Sequence, residues 1–98
     1  MMNLIINPPQ PKLNLSDEIV LNLVREELKR ARNKHTDMPS LFHGKAVIEE
    51  ELDELWDLIK LDKAKLTPFE NEIVKRRMVE EAVQVAAMGV RFVVDLLA

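Results

Sequence analysis

Apolar residues recur along this chain at the three- and four-residue spacings of helices, and turn residues divide them into three runs. Val20, Val24, Leu28 and Ala31 form the first stripe. Ser16 precedes it as an N-cap, and Asp17 and Glu18 lie in a first turn where the helix dipole favours acids. A helix is predicted from Ser16 to about Asn33, its other faces made basic by Arg25, Lys29, Arg30 and Arg32. His35 to Gly44, with Thr36, Asp37, Pro39 and Ser40, reads as a loop. Lys45 begins or continues the second helix, expected to last to about Asp62. Its core face is Ile48, Leu52, Leu55 and Ile59, with Trp56 packing on the flank. Thr67-Pro68-Phe69-Glu70 is a capping box with proline at the first helical position. The third helix therefore starts at Pro68 and runs nearly to Ala98, roughly 45 Å at about 1.5 Å per residue.

From Val83 onward the only polar side chains of that helix are Gln84, Arg91 and Asp95, all on one narrow stripe. A helix apolar nearly all round must be covered nearly all round, more than two helices of one chain can do. The expected fold is all-α: a three-helix protomer completing a four-helix-type bundle by forming a homo-oligomer, a dimer or tetramer. Residues 1–15, with Pro8, Pro9 and Pro11, read as an extended N-terminal arm, and 16–98 as one helical domain.

Composition narrows the function classes. At 98 residues, 47% hydrophobic and 32% charged, the chain suits one folded domain. A net charge of −3 argues against a nucleic-acid binder, and the acidic second and third helices offer no recognition face for DNA. There is no cysteine, no signal-peptide pattern, and no apolar run as long as the roughly 20 residues of a membrane span. A soluble, cytoplasmic protein is expected.

The candidate chemistry lies in acids on apolar faces. Glu51 falls among Val47, Ile48, Leu55 and Leu58 at helical spacing; Glu54 lies a turn on, beside Val47, Leu58 and Leu61. Glu81 is surrounded by Val74, Met78, Val85 and Met88. Glu49, Asp53 and Asp57, by contrast, fall on the polar side. A buried carboxylate protonates or finds a partner. Three acids on two helices either share a hard divalent cation, or lie at the stripe's edge and meet water, lysine or arginine.

Glu50-Glu51-x-x-Glu54, followed by Glu81-x-x-Gln84 on the next helix, resembles the MazG-like all-α nucleoside triphosphate pyrophosphohydrolases. Their signature is a Glu-Glu-x-x-Glu run on one helix and Glu-x-x-Asp on the next. The resemblance implies Mg²⁺-dependent (or Mn²⁺-dependent) cleavage of a nucleoside triphosphate between its α and β phosphates, giving a monophosphate and pyrophosphate. By matching, the metal positions fall on Glu51, Glu54, Glu81 and Gln84, and Glu50 supports a ligand or positions the attacking water. The outline is that of a short, divergent member, of the kind phages and mobile elements often carry. Lys45, Arg77 and Arg91 are the candidate cations on the substrate side. Each has a competing salt-bridge reading, Arg91 with Asp95 and Arg77 with Glu80 or Glu81. Gln84 stands where the family has aspartate, and an amide oxygen brings no charge. A second hypothesis is therefore a non-catalytic helical oligomer, a nucleotide-binding or regulatory module that keeps the MazG-like fold.

Overall fold

A computed structural model describes residues 14–98; the expected arm lies outside the described residues, except for its last two positions. The described residues form α1 (Asp17–Lys34), α2 (Leu41–Ile59), a single 3₁₀ turn (Lys63–Lys65) and α3 (Pro68–Leu96), with no strand among them. The caps at α1 and α3 are those the sequence predicts. Ser16 Oγ accepts the Ile19 N–H at 3.3 Å. Thr67 Oγ1 accepts the Glu70 N–H at 3.1 Å while Glu70 Oε1 accepts the Thr67 N–H at 2.9 Å, both halves of the capping box.

α2 begins earlier than expected, at Leu41 rather than Lys45. Ser40 is its N-cap, accepting the His43 N–H at 3.1 Å, and Gly44 lies inside the helix, buried. A β-carbon on Gly44 would stand 2.6 Å from Phe92 Cδ2 and 2.9 Å from Leu96 Cδ1. The glycine thus serves close approach of α2 to α3 and does not end a loop. At the other end α2 stops at Ile59, short of Asp62, which instead accepts the Ala64 N–H at 3.1 Å and caps the 3₁₀ turn.

α3 is the spine, and α1 and α2 both pack along it. The buried core joins Val24 and Ala31 of α1, Met38 of the α1–α2 connection, and Val83, Ala87 and Met88 of α3. Val20, Leu28, Val47, Ile48, Val79, Phe92 and Leu96 pack around it, half-buried. The first-helix stripe is therefore as expected. The second is turned: Val47, Ile48, Glu51, Leu55 and Leu58 are half-buried, whereas Leu52, Trp56 and Ile59 are exposed. Trp56 does not pack on the flank, because the α2 face that meets α3 is the one carrying Glu51. On α3 the polar stripe faces inward. Arg91 is buried and the Asp95 carboxylate is 2% exposed, while Val90, Val93, Val94 and Leu97 face out. No described helix is long and apolar enough to cross a membrane.

The two glycines predict opposite responses to alanine. Gly44→Ala gains helix propensity of about 1 kcal/mol but forces its neighbours apart at about 1–3 kcal/mol. A net loss of about 1 kcal/mol is expected in urea unfolding. At Gly89 a β-carbon meets nothing within 4 Å, so Gly89→Ala should stabilise by up to about 1 kcal/mol.

Candidate metal centre

Glu51 is carried to the α2–α3 contact by the same turn that half-buries Val47 and Ile48, and Glu81 by the turn of α3 between Met78 and Met88. Glu54 follows Glu51 by three residues and so lies on the same side of α2. Glu51, Glu54 and Glu81 each offer a carboxylate oxygen within 4.8 Å of the others. Glu81 is buried, Glu51 half-buried and Glu54 exposed, so the group opens to solvent on the Glu54 side. Oε2 of Glu51 and Oε2 of Glu81 are buried with no hydrogen-bond partner.

This crowding changes the acids. Burial, then the charges of Glu54 and Glu81, push the Glu51 carboxyl up from 4.5 to about 7. Burial and then Glu54 also raise Glu81, against a smaller opposing pull from Arg77. The ion pairs among the described residues are made by other acids. Three carboxylates, two of them with an orphaned buried oxygen and none with an ion-paired cation, match the donor set of a hard divalent ion.

A cavity of about 630 Å³ adjoins the carboxylates, and Glu50, Glu51, Gln84 and Arg91 line it. Gln84, three residues after Glu81, is half-buried there. Lys45 does not line it; its ammonium pairs with Glu49 at 3.0 Å on the surface. Arg77 is exposed and absent from the lining, near enough to Glu81 only to be felt as charge.

Arg91 follows the salt-bridge reading, beside Asp95, and adds a bond to the α1–α2 connection. Its Nη2 donates to the Thr36 carbonyl at 2.8 Å, and its Nε lies 3.8 Å from Asp95. Asp95 in turn accepts the Met38 N–H at 3.0 Å and pairs with Arg32 Nη1 at 2.7 Å. Burial pushes Asp95 up, but Met38, Arg32 and Arg91 outweigh it and hold the carboxyl below its ordinary value. Together these bonds clamp the α1–α2 connection, one wall of the cavity, to the last turn of α3.

Most of the cavity-lining residues were not anticipated as site residues, an ion pair of α1 among them. Glu27 and Arg30 of α1 face the cavity as a doubly hydrogen-bonded pair, one bond at 3.0 Å. The signal for Glu27 was present: it follows Val20 by seven residues and Val24 by three, on the apolar stripe. No family model, curated protein or solved structure matches the chain.

The raised Glu51 carboxyl sets a pH dependence. Between its ordinary value of 4.5 and about 7 the folded chain holds a proton that the unfolded chain has released. That contribution to stability is complete below the ordinary value and lost as pH rises through about 7. In EDTA the Tm should therefore fall between about pH 5 and about pH 8, Mg²⁺ should restore it at the higher pH, and Glu81→Gln should flatten the slope and remove the Mg²⁺ response. A Tm indifferent to both pH and Mg²⁺ would mean that the acids simply reach water.

Proposed function

We propose that the chain is a Mg²⁺-dependent nucleoside triphosphate pyrophosphohydrolase of the MazG-like kind. The observation that carries the reading is the convergence of Glu51, Glu54 and Glu81, with two of their buried oxygens left without partners. Its order along the chain, Glu50-Glu51-x-x-Glu54 and then Glu81-x-x-Gln84, is the order of the family's signature.

In the reaction a water oxygen bonds to the α-phosphorus and the bond from that phosphorus to the α–β bridging oxygen breaks. Nucleoside monophosphate and pyrophosphate leave, with the water's proton released. Glu51, Glu54 and Glu81 would hold the divalent ion (Mg²⁺, or Mn²⁺ in its place), with Gln84, three residues after Glu81 and on the cavity wall, as the candidate neutral ligand. The ion's chemistry is to offset phosphate charge and orient the leaving group. Glu50, on the cavity wall, positions the water and accepts its proton.

Pyrophosphate release from a panel of nucleoside triphosphates with Mg²⁺ or Mn²⁺ tests the reading. Turnover is expected, and Glu51→Gln should lower it by a factor of about 100 or more, as loss of a positioned charged group does. Gln84→Asp should tighten the metal by restoring a charge; if it only destabilises the fold, Gln84 is structural. Gln84 itself favours the second reading, a helical module that binds nucleotide without turning it over. Metal-dependent nucleotide binding with no pyrophosphate from any triphosphate would decide for that module.

The same reading includes assembly. Sixteen large hydrophobic residues are exposed among the described residues, including Leu41, Leu52, Trp56 and Ile59 on α2 and Val90, Val93 and Val94 on α3 with Leu97 at its C-cap. That much apolar surface on three helices is what a second copy covers to complete a bundle. Sedimentation should find no stable monomer at micromolar concentration, and a well-folded monomer would contradict it.

A further inference from the structure

The cavity beside the carboxylates is lined by two chemically different groups. Glu50 and Glu51 come from the middle of α2; Lys34 and His35 come from the end of α1 and the connection, and His43 from the first turn of α2. The remaining charges of the lining are already matched: Glu27 by Arg30, Asp37 by Arg32, Arg91 beside Asp95. Lys34, His35 and His43 make no ion pair among the described residues. Whatever occupies the cavity thus meets both unmatched donors and unmatched carboxylates.

Two further features favour an anion beside these donors. α1 and α3 place acids in their first turns, but α2 has none there, so the positive end of its dipole is not met by an acid of its own. The wall is also built rather than incidental. Thr36 and Met38 are fixed by Arg91 and Asp95, and the Arg91 side chain, 5% exposed, lines the cavity with its Nε unbonded. A volume of about 630 Å³ is of the size that receives a nucleotide-sized ligand.

We infer that this cavity seats the polyphosphate chain of the substrate. The phosphate oxygens are gripped by Lys34, His35 and His43, not by Lys45 or Arg77. The inference rests on the hydrolase reading for the identity of the substrate, but the seat itself needs only an anionic chain. Lys34 and the two imidazoles donate to phosphate oxygens, while the acids would hold a divalent ion that offsets the charge of the phosphates. The ligand class follows: an extended polyanion carrying a divalent ion, and not a simple monoanion.

Isothermal titration of the full chain with inorganic tripolyphosphate, in EDTA and again in Mg²⁺, tests this. Binding is expected in both, tighter with Mg²⁺. The double variant Lys34→Ala/His43→Ala should weaken it by about tenfold or more. Both side chains are exposed, so its Tm should match the parent's, and Lys34→Arg should keep the affinity. Glu51→Gln should leave the EDTA value unchanged or tighter and remove only the Mg²⁺ gain. For triphosphate turnover the double variant should raise KM more than it lowers kcat. No tripolyphosphate binding, or binding the double variant leaves unmoved, overturns the seat even if triphosphates are hydrolysed. Tripolyphosphate binding lost in the double variant, with no triphosphate turned over, leaves the seat standing and removes the hydrolase.

Discussion

The like charge gathered between α2 and α3 governs this molecule. Three carboxylates within 4.8 Å, two of them withdrawn from water, oppose the packing that brings their helices together. A sequence selected only for stability would place leucine or alanine at Glu51 and Glu81, as the surrounding apolar positions do. Retaining acids there costs stability, and a ligand that neutralises them returns it. A cation bound there would thus be linked to stability through the same residues.

The rest of the chain is arranged to hold that point in place. Gly44 lets α2 lie close on α3 near one end of the contact, and the core of Val24, Ala31, Val83 and Ala87 fixes α1 on the same spine. Asp95 lies in the last turn of α3, where a carboxylate opposes the helix dipole. Two guanidiniums and a backbone N–H from the α1–α2 connection offset that cost. The acid therefore serves the tertiary structure at the expense of its own helix.

Local signals in the sequence were read correctly because their physics is local. The capping box at Thr67, the cap at Ser16 and the stripe from Val20 to Ala31 involve residues three to seven apart, and each is found where expected. The clustering of Glu51, Glu54 and Glu81 was legible for a related reason, since a charge on an apolar face contradicts its own neighbours. What was misread depends on distant partners. Gly44 reads as a breaker until Phe92 and Leu96 are known to lie against it. Leu52, Trp56 and Ile59 look like core because α2 has two apolar stripes, and periodicity cannot say which one α3 takes. Arg91 and Asp95 are a pair four apart, but their bonds to Thr36 and Met38 span more than fifty residues and leave no trace in the spacing.

That long-range clamp has a consequence for the order of events in folding. The bond from Met38 to Asp95 closes a separation of 57 residues, whereas the caps and helices close after three or four. Closing so long a loop costs chain entropy that only a docked α3 offsets. The wall of the cavity is accordingly a late product of folding. A chain still leaving the ribosome can form its first two helices, but it acquires a shaped pocket only when the final turn of the third arrives.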